Sequence, residues 1–527
     1  MSRFTPTALL SLPTLALLAL AGCMVGPNYH RPAAIVSPKL KEAQPPPGWV
    51  KAQPDMAMFP KGDWWTIFHD PLLDKLEHRV ATSNQSLKEY VAQYHKAAAM
   101  IDSIRANLFP TINGKFSFGH TMHGAYSTNS ATGGSTGYYT KGGSRSISSN
   151  SWDFGPSASW TIDVWGQIRR QVQEQVTATQ ASAAQVANMK LSYELQLAED
   201  YFDLRYQDSL IALYARNVKL YRHNLDILEN QLAAGVADPA SVLQARYQYQ
   251  GVEASLANAH VARAQYEHAI AVLAGMPPAE LTIPPAPLPS TLPPPPLVVP
   301  STLLQRRPDI AQAEREMASN NAEIGYEIGA FYPQITLSSN YGYSGNPITQ
   351  LFRLATESWE AGAGATETIF EGGSRTAAVR GARADYANAV AAYRQTVLTA
   401  FQQIEDQLSN LRYLGEQMGL EKQAVKSADE AVRVSMNEYL AGTQIYTTVI
   451  SAQQTALQYE QTCLQIQEQR YQSELNLITD LGGGWSVKDL PTKNQLQQDN
   501  PFLPSFIQPN IDGAPNMGTT RQSLAGK

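Results

Sequence analysis

Residues 373–439, GSRTAAVRGARADYANAVAAYRQTVLTAFQQIEDQLSNLRYLGEQMGLEKQAVKSADEAVRVSMNEY, place an apolar residue at every seventh position from Val390: Val390, Val397, Ile404, Leu411, Met418, Val425, Val432 and Tyr439. A seven-residue apolar step held over this distance makes one seam of a supercoiled helix. No proline interrupts the stretch, and the positions off the seam are mostly Ala, Gln, Glu, Arg and Asp. At ~1.5 Å per residue the pattern predicts a rod of roughly 100 Å, far longer than the helices of a compact domain.

The same rod occurs earlier in the chain. Subtracting 207 from each seam number gives Ala183, Lys190, Leu197, Leu204, Ile211, Val218, Leu225 and Leu232. That offset holds without a gap from Gly166, matching Gly373, to Gly275, matching Gly482. An internal duplication is therefore the main feature of the sequence, one architecture built twice.

Working outward, each rod runs into a tight apex, Ala234-Gly235-Val236 and Ala441-Gly442-Thr443, where glycine suits a helix end because it tolerates positive φ. A return helix follows each apex. The first carries Val242, Tyr249, Leu256 and Ile270 on one seam, the second Val449, Ala456, Cys463 and Leu477. Arg263 and Arg470 interrupt the same seam at matching places, either as contacts within a shaft or as arginines whose stems cover apolar surface.

Before each rod the apolar period is two. Ile112, Phe116 and Phe118 alternate with Thr111, Asn113, Lys115 and Ser117; Trp152, Phe154, Ala158, Trp160, Ile162 and Val164 do the same in a partner segment. The second copy repeats this with Ile335, Leu337, Tyr341 and Tyr343, and its partner over 359–370 is rich in small residues. Four strands with one apolar and one polar face fit a membrane β-barrel or a half-buried soluble sheet. Four strands are too few to close a barrel, so a membrane reading requires several chains to pool them. A Gly-, Ser-, Thr- and Tyr-rich loop over 120–150 and a shorter one over 344–358 join the strands, and the length difference changes the offset upstream to 223. Helical patterns over 70–107 and 309–330 precede the strands and stop at Leu108-Phe109-Pro110 and Phe331-Tyr332-Pro333.

The chain of 527 residues divides into a signal peptide (1–22), an extended arm (23–65), a first repeat (66–275), a Pro-rich linker (276–300), a second repeat (301–482) and a flexible tail (483–527). Arg3 and the apolar run 8–20 have the form of a secretory signal. It ends in Leu20-Ala21-Gly22-Cys23, which resembles the bacterial lipobox, so Cys23 is expected to be lipidated; Met24 in place of Asp favours the outer membrane by the same resemblance. Past these residues no long uncharged apolar run appears, and no transmembrane helix is expected. The net charge of −6 gives no footprint for nucleic acid. Only Cys23 and Cys463 are present, so no disulfide framework is expected. There is no phosphate loop, His-Glu-x-x-His or paired Cys-x-x-Cys. His120 and His123, spaced like metal ligands, fall in the Ser- and Gly-rich loop and are read as loop residues, and Asp163 is read as structural; no enzyme, metal or cofactor is expected beyond the covalent lipid.

Taken in order, Gly22-Cys23-Met24-Val25-Gly26-Pro27-Asn28-Tyr29 through Pro32, Trp64-Trp65 through Asp70-Pro71-Leu72, Arg306-Arg307-Pro308-Asp309-Ile310 through Ala313-Glu314, and Ile369-Phe370-Glu371-Gly372-Gly373 resemble the NodT/OprM branch of the TolC-like outer-membrane efflux family. The resemblance spans about residues 20–484. It implies a mixed α and β membrane protein, a homotrimer whose four strands per chain form one twelve-stranded outer-membrane barrel continued by a periplasmic α-helical barrel. The implied function is the exit duct of a tripartite efflux pump, working with a periplasmic adaptor and an inner-membrane pump of RND or MFS type. By the same resemblance Gly235, Val236, Ala237, Ser241, Gly442, Thr443 and Gln444 touch the adaptor. Tyr439, Thr448, Val449, Ile450 and Ser451 form the gate, and Tyr439 and Ser241 match positions whose contact helps to hold the tip shut. Relatives often carry acids where this chain has Thr448 and Ser451, so the constriction is expected to be neutral; Asp238 at the other apex is either a gate acid or a solvated loop charge. A polypeptide-export duct on the same architecture and a non-pore scaffold lipoprotein remain as alternatives.

Overall fold

The computed structural model describes residues 24–34, 40–42, 63–123, 147–293 and 306–496. The signal peptide, Cys23, much of the arm, loop residues 124–146, linker residues 294–300 and the tail beyond 496 lie outside the described residues. The element order is α1 (Pro71–Ser83), α2 (Gln85–Ala106), β1 (Thr111–His123), β2 (Ile147–Ile162), α3 (Gln167–Ala233) and α4 (Pro239–Leu273). The order then begins again with α5 (Pro308–Gly329), β3 (Gln334–Gly345), β4 (Glu357–Thr366), α6 (Ser374–Leu440) and α7 (Tyr446–Asp480), followed by the short α8 (Lys493–Leu496). Both rods, α3 and α6, have 67 residues, and both returns, α4 and α7, have 35. All eight seam residues of α6 are buried or half-buried.

One continuous helix is expected over 70–107, but the chain breaks it at Asn84, whose extended backbone (φ −60°, ψ 124°) ends α1. The Asn84 side chain caps α2 by accepting from Leu87 N at 2.8 Å and donates to Leu273 O at 2.9 Å, tying this corner to α4. Asp70 caps α1 through Leu72 N and Leu73 N, with Pro71 at the first helical position where a missing N–H costs nothing. Trp64 and Trp65 are fully buried in the largest apolar cluster, with Leu197, Tyr201 and Phe202 of α3 and Tyr471 and Leu475 of α7.

The strands form one antiparallel sheet in the order β1-β2-β3-β4. β1 reaches His123, so His120 and His123 lie on a strand and not in the loop, and His120 Nδ1 sits 2.6 Å from Asn150 Oδ1. Ile112, Phe116, Phe118, Met122, Phe154 and Trp359 are all exposed. A half-buried soluble sheet would pack this face onto its own core; here the chain leaves it uncovered. Among the described residues no helix is long and apolar enough to cross a membrane.

Three irregular segments lie against the helices. At residues 24–34, Val25 N donates to Trp165 O, and the buried Arg170 guanidinium donates to Val25 O, Gly26 O and Asn28 Oδ1. Gly166 opens α3 at φ 79°, and a Cβ there would come within 2.7 Å of Met24, so this glycine serves both the turn and the passage of the arm. The linker, expected to run extended, packs through Ile283 and Leu288 and is held by Asp208, which accepts from Ala286 N and from Arg263 Nε at 2.6 Å. Arg263 also reaches Glu267 and Ile283 O, which makes it the linker's anchor and neither of the two roles its position offered. Finally, residues 483–496 are not flexible tail: Leu496 is buried beside Ile101, Val172 and Val176, and Pro491 O accepts from Gln180. The polar composition around Leu496 conceals this apolar anchor.

Candidate functional site

The ends of α3 and α6 are built alike. Gln231 O accepts from Val236 N at 2.8 Å, and Glu438 O accepts from Thr443 N at 3.0 Å. Each bond closes a turn around a glycine in the left-handed region, Gly235 at φ 77° and Gly442 at φ 75°. These bonds satisfy carbonyls that a helix C-terminus would otherwise leave without partners. Leu225 and Leu228 of α3 pack with Val242 and Ala245 of α4 and with Tyr446, Val449 and Ile450 of α7; Leu232, Met436 and Tyr439 lie against this cluster. Both hairpins of one chain therefore share one apolar core at the tip.

The expected gate residues divide between that core and the surface of α7. Val449 is 0% exposed and Ile450 is buried with it, both packed between the two hairpins of one chain. The reason is the seam itself, which turns Val449 toward α3 and α4. Thr448 and Ser451 lie on the other side of α7: Ser451 is exposed and donates to Thr447 O, and Thr448 donates to Gln444 Oε1 at 3.3 Å. Thr455 and Thr462 continue this hydroxyl row along α7. Tyr439 bonds Gln231 Oε1 at 2.7 Å and not Ser241. Asp238 is exposed at the start of α4 and makes no side-chain cap.

Gly235, Val236, Gly442, Thr443 and Gln444 are exposed at the apices, and Ala237 and Ser241 are half-buried. Around them stand exposed Leu243, Tyr247, Leu440 and Ile445, an apolar rim that the sequence reading did not mark. It also missed Gln231, Gln244 and Tyr446. Thr447 donates to Gln244 Oε1 at 3.2 Å, and the Tyr446 ring stands edge-on to Tyr439 at 5.1 Å. Burial, with Tyr439 close by, pushes the Tyr446 hydroxyl well above its usual range. Two polar tethers, Tyr439–Gln231 and Thr447–Gln244, thus join the two hairpins, and the ring pair braces the second hairpin at its turn. The signal for Gln231 was its match to Glu438, since both supply the carbonyl that closes the turn.

Cys463 lies half-buried with Sγ 3.4 Å from Met418 Sδ, a packing position as its seam predicts. Among the described residues no group of three or more His, Cys, Asp or Glu could hold a metal ion.

The family model described as "Outer membrane efflux protein" matches residues 76–276 and 299–483. The chain is 27% identical over 497 residues to the probable efflux pump outer membrane protein TtgC of Pseudomonas putida, covering 94% of this chain and 99% of that protein. It is 26% identical over 449 residues to Nodulation protein T of Rhizobium leguminosarum bv. trifolii, covering 83% and 89%. The solved structure of the outer-membrane channel OprN superposes with a TM-score of 0.76 at 25% identity, covering 88% of this chain and 100% of that one.

Proposed function

This chain belongs to the outer membrane efflux protein family, and we propose that three copies of it form the exit duct of a tripartite pump, passing small molecules from the periplasm to the outside. It resides in the outer membrane and extends into the periplasm. The observation that carries the trimer is a stripe on α6. Leu398, Tyr413 and Leu420 are exposed, yet their counterparts 207 residues earlier, Leu191, Tyr206 and Leu213, are the same residue types and are packed against the chain's own helices. An apolar surface of this kind marks a protein interface, and a further copy supplies the missing cover. The exposed apolar face of the four-stranded sheet then meets lipid, which argues against a scaffold that forms no pore.

The N-terminal arm supports lipidation of Cys23. Met24 packs at Gly166 and Val25 bonds Trp165 O, where the sheet gives way to the rods. A lipid on the preceding residue would start at the edge of the bilayer.

The duct works by positioning and not by chemistry. Closed, the three tips meet at the hydroxyls of half-buried Thr448 and exposed Ser451. Gly235, Val236, Ala237, Ser241, Gly442, Thr443 and Gln444 with the apolar rim receive the adaptor, which couples the duct to an inner-membrane pump of RND or MFS type. An adaptor that binds the splayed tips better shifts the population toward the open duct. Because Val449, Ile450 and the Tyr439–Gln231 bond hold each chain's hairpins together, opening separates chains and not the hairpins of one chain. A ring of hydroxyls without carboxylates makes the constriction a poor site for cations.

The test is native mass and planar-bilayer conductance in mild detergent. The expected result is a three-chain particle that conducts and is weakly blocked by multivalent cations. A stable single-chain particle overturns the assembly, and strong block overturns the neutral constriction.

A further inference from the structure

We propose that β4 of one copy pairs with β1 of the next copy in a register copied from the β2–β3 pairing inside the chain, with Ile369 opposite Ile112. This rests on the three-chain reading and names the strand contact that closes it. The two hairpins share one register: Thr111 pairs with Ser159 and Gln334 pairs with Thr366, so a shift of 223 carries β1 onto β3 and a shift of 207 carries β2 onto β4. The same shifts turn the β2–β3 contact into a β4–β1 contact between copies. Adding 207 to Ile162 gives Ile369, and subtracting 223 from its partner Ile335 gives Ile112.

An asymmetry in strand length agrees with this. β2 is paired as far as Ile162 because β3 lies beside it, whereas pairing on β4 stops at Thr366, three residues before the equivalent point. Residues 367–369 have no strand beside them, and Ile369 is 97% exposed. β1 and β4 are the two open edges of the sheet, and an open edge with free N–H and C=O groups is a template for another strand.

The faces and the charges select among registers. In the proposed one, Ile112, Phe116, Phe118 and Met122 stand opposite Ile369, Ala365, Ala363 and Trp359, all on the apolar side of the sheet, with small alanines facing large rings. Glu367 falls opposite Gly114, which has no side chain to crowd it, and is already paired with Arg375 at 2.6 Å. A slip of one residue turns the apolar set to the polar face. A slip of two in one direction puts Ile112 opposite Glu371 and Phe116 opposite Glu367; in the other it puts Ile112 opposite Glu367 and Met122 opposite Glu357. Only the proposed register of these three keeps carboxylates away from the apolar partners.

The experiment is oxidative crosslinking of full-length protein in a Cys463→Ser background. Ile112→Cys with Ile369→Cys should give disulfide-linked copies at least about tenfold more efficiently than Ile112→Cys with Glu367→Cys or with Glu371→Cys, because only opposed residues meet the Cβ–Cβ distance of a disulfide. Ile162→Cys with Ile335→Cys, the template pair, should close within one chain and leave its mass unchanged. A three-chain native mass with crosslinking favoured at Glu367→Cys or Glu371→Cys overturns the register and leaves the assembly standing. A single-chain native mass overturns both.

Discussion

The two rods are matched in length and seam, yet α3 buries 24 of its residues and α6 only eight. α3 lies at the centre of the chain, packed by α1, α2, α4, α5 and α7, whereas α6 packs mainly against α5 and α7 at the edge and reaches α3 at the tip through Tyr439 and Gln231. Leu213 is 6% exposed and its counterpart Leu420 is 67% exposed. The lesson is that two like rods share one surface pattern, while position in the chain decides whether that surface is covered from within or left open. The strand–rod junctions differ in the same sense. Asp163 accepts from Ile168 N and Arg169 N to start α3, while Phe370 stands in its place before α6 and Glu371 takes over by accepting from Arg375 N.

The largest effect that sharpens this comparison is expected at Asp208. It pairs with Arg263 and Arg205 and receives Ala286 N, all at a buried site. Asp208→Ala leaves two guanidinium groups short of a partner and should cost about 3–5 kcal/mol, read by denaturant unfolding; a loss below about 1 kcal/mol would mean the linker is not held by this cluster. The counterpart on α6 is Gly415, which has no neighbour for a side chain to meet.

Next comes the pair Leu213 and Leu420. Leu213→Ala should cost about 2–5 kcal/mol of stability through a cavity in the chain's own core. Leu420→Ala should leave helix content unchanged by circular dichroism and instead lower the three-chain fraction in native mass measurements. Equal effects of both changes on assembly would break the contrast between the rods.

Smaller still is Gly442→Phe. A side chain at positive φ costs roughly 1–2 kcal/mol, and nothing in the chain lies within 4 Å of the added Cβ. Trimer and barrel should survive while efflux falls, measured as drug susceptibility of cells that depend on this duct. Unchanged resistance would remove the second apex from the adaptor surface.

The smallest effect is a pH dependence in the returns. Arg263 and Glu267 on α4 are an ion pair that also holds Ile283 N, while at the matching places on α7 Glu474 is buried and its carboxylate finds no hydrogen-bond partner among the described residues. Burial pushes the Glu474 carboxyl up to about 7, with Arg470 pulling weakly the other way. Since its folded value lies above the unfolded one, the cost of ionising it is absent below pH ~4.5 and fully present above about 7. Glu474→Gln should therefore raise the melting temperature at pH 8, on the order of 1–2 °C, and leave it unchanged at pH 4.5. A gain at both pH values would assign the effect to packing.

What the sequence determined by itself is whatever repeats at short range. The seven-residue seam set the rods, the two-residue alternation set the strands, and Gly235 and Gly442 marked the reversals, because each is dictated by neighbours a few residues away. The seam even placed Val449 on an apolar face. Only the tertiary structure decided what that face meets: Val449 and Ile450 turn into the chain's own core, Tyr439 finds Gln231, Asn84 splits a helical pattern to reach α4, and Leu496 draws the start of the tail onto α3. These outcomes join residues scores to hundreds of positions apart, and one local period is compatible with many such pairings. That is also why two like rods could be read from sequence, but not which of them the chain would leave uncovered.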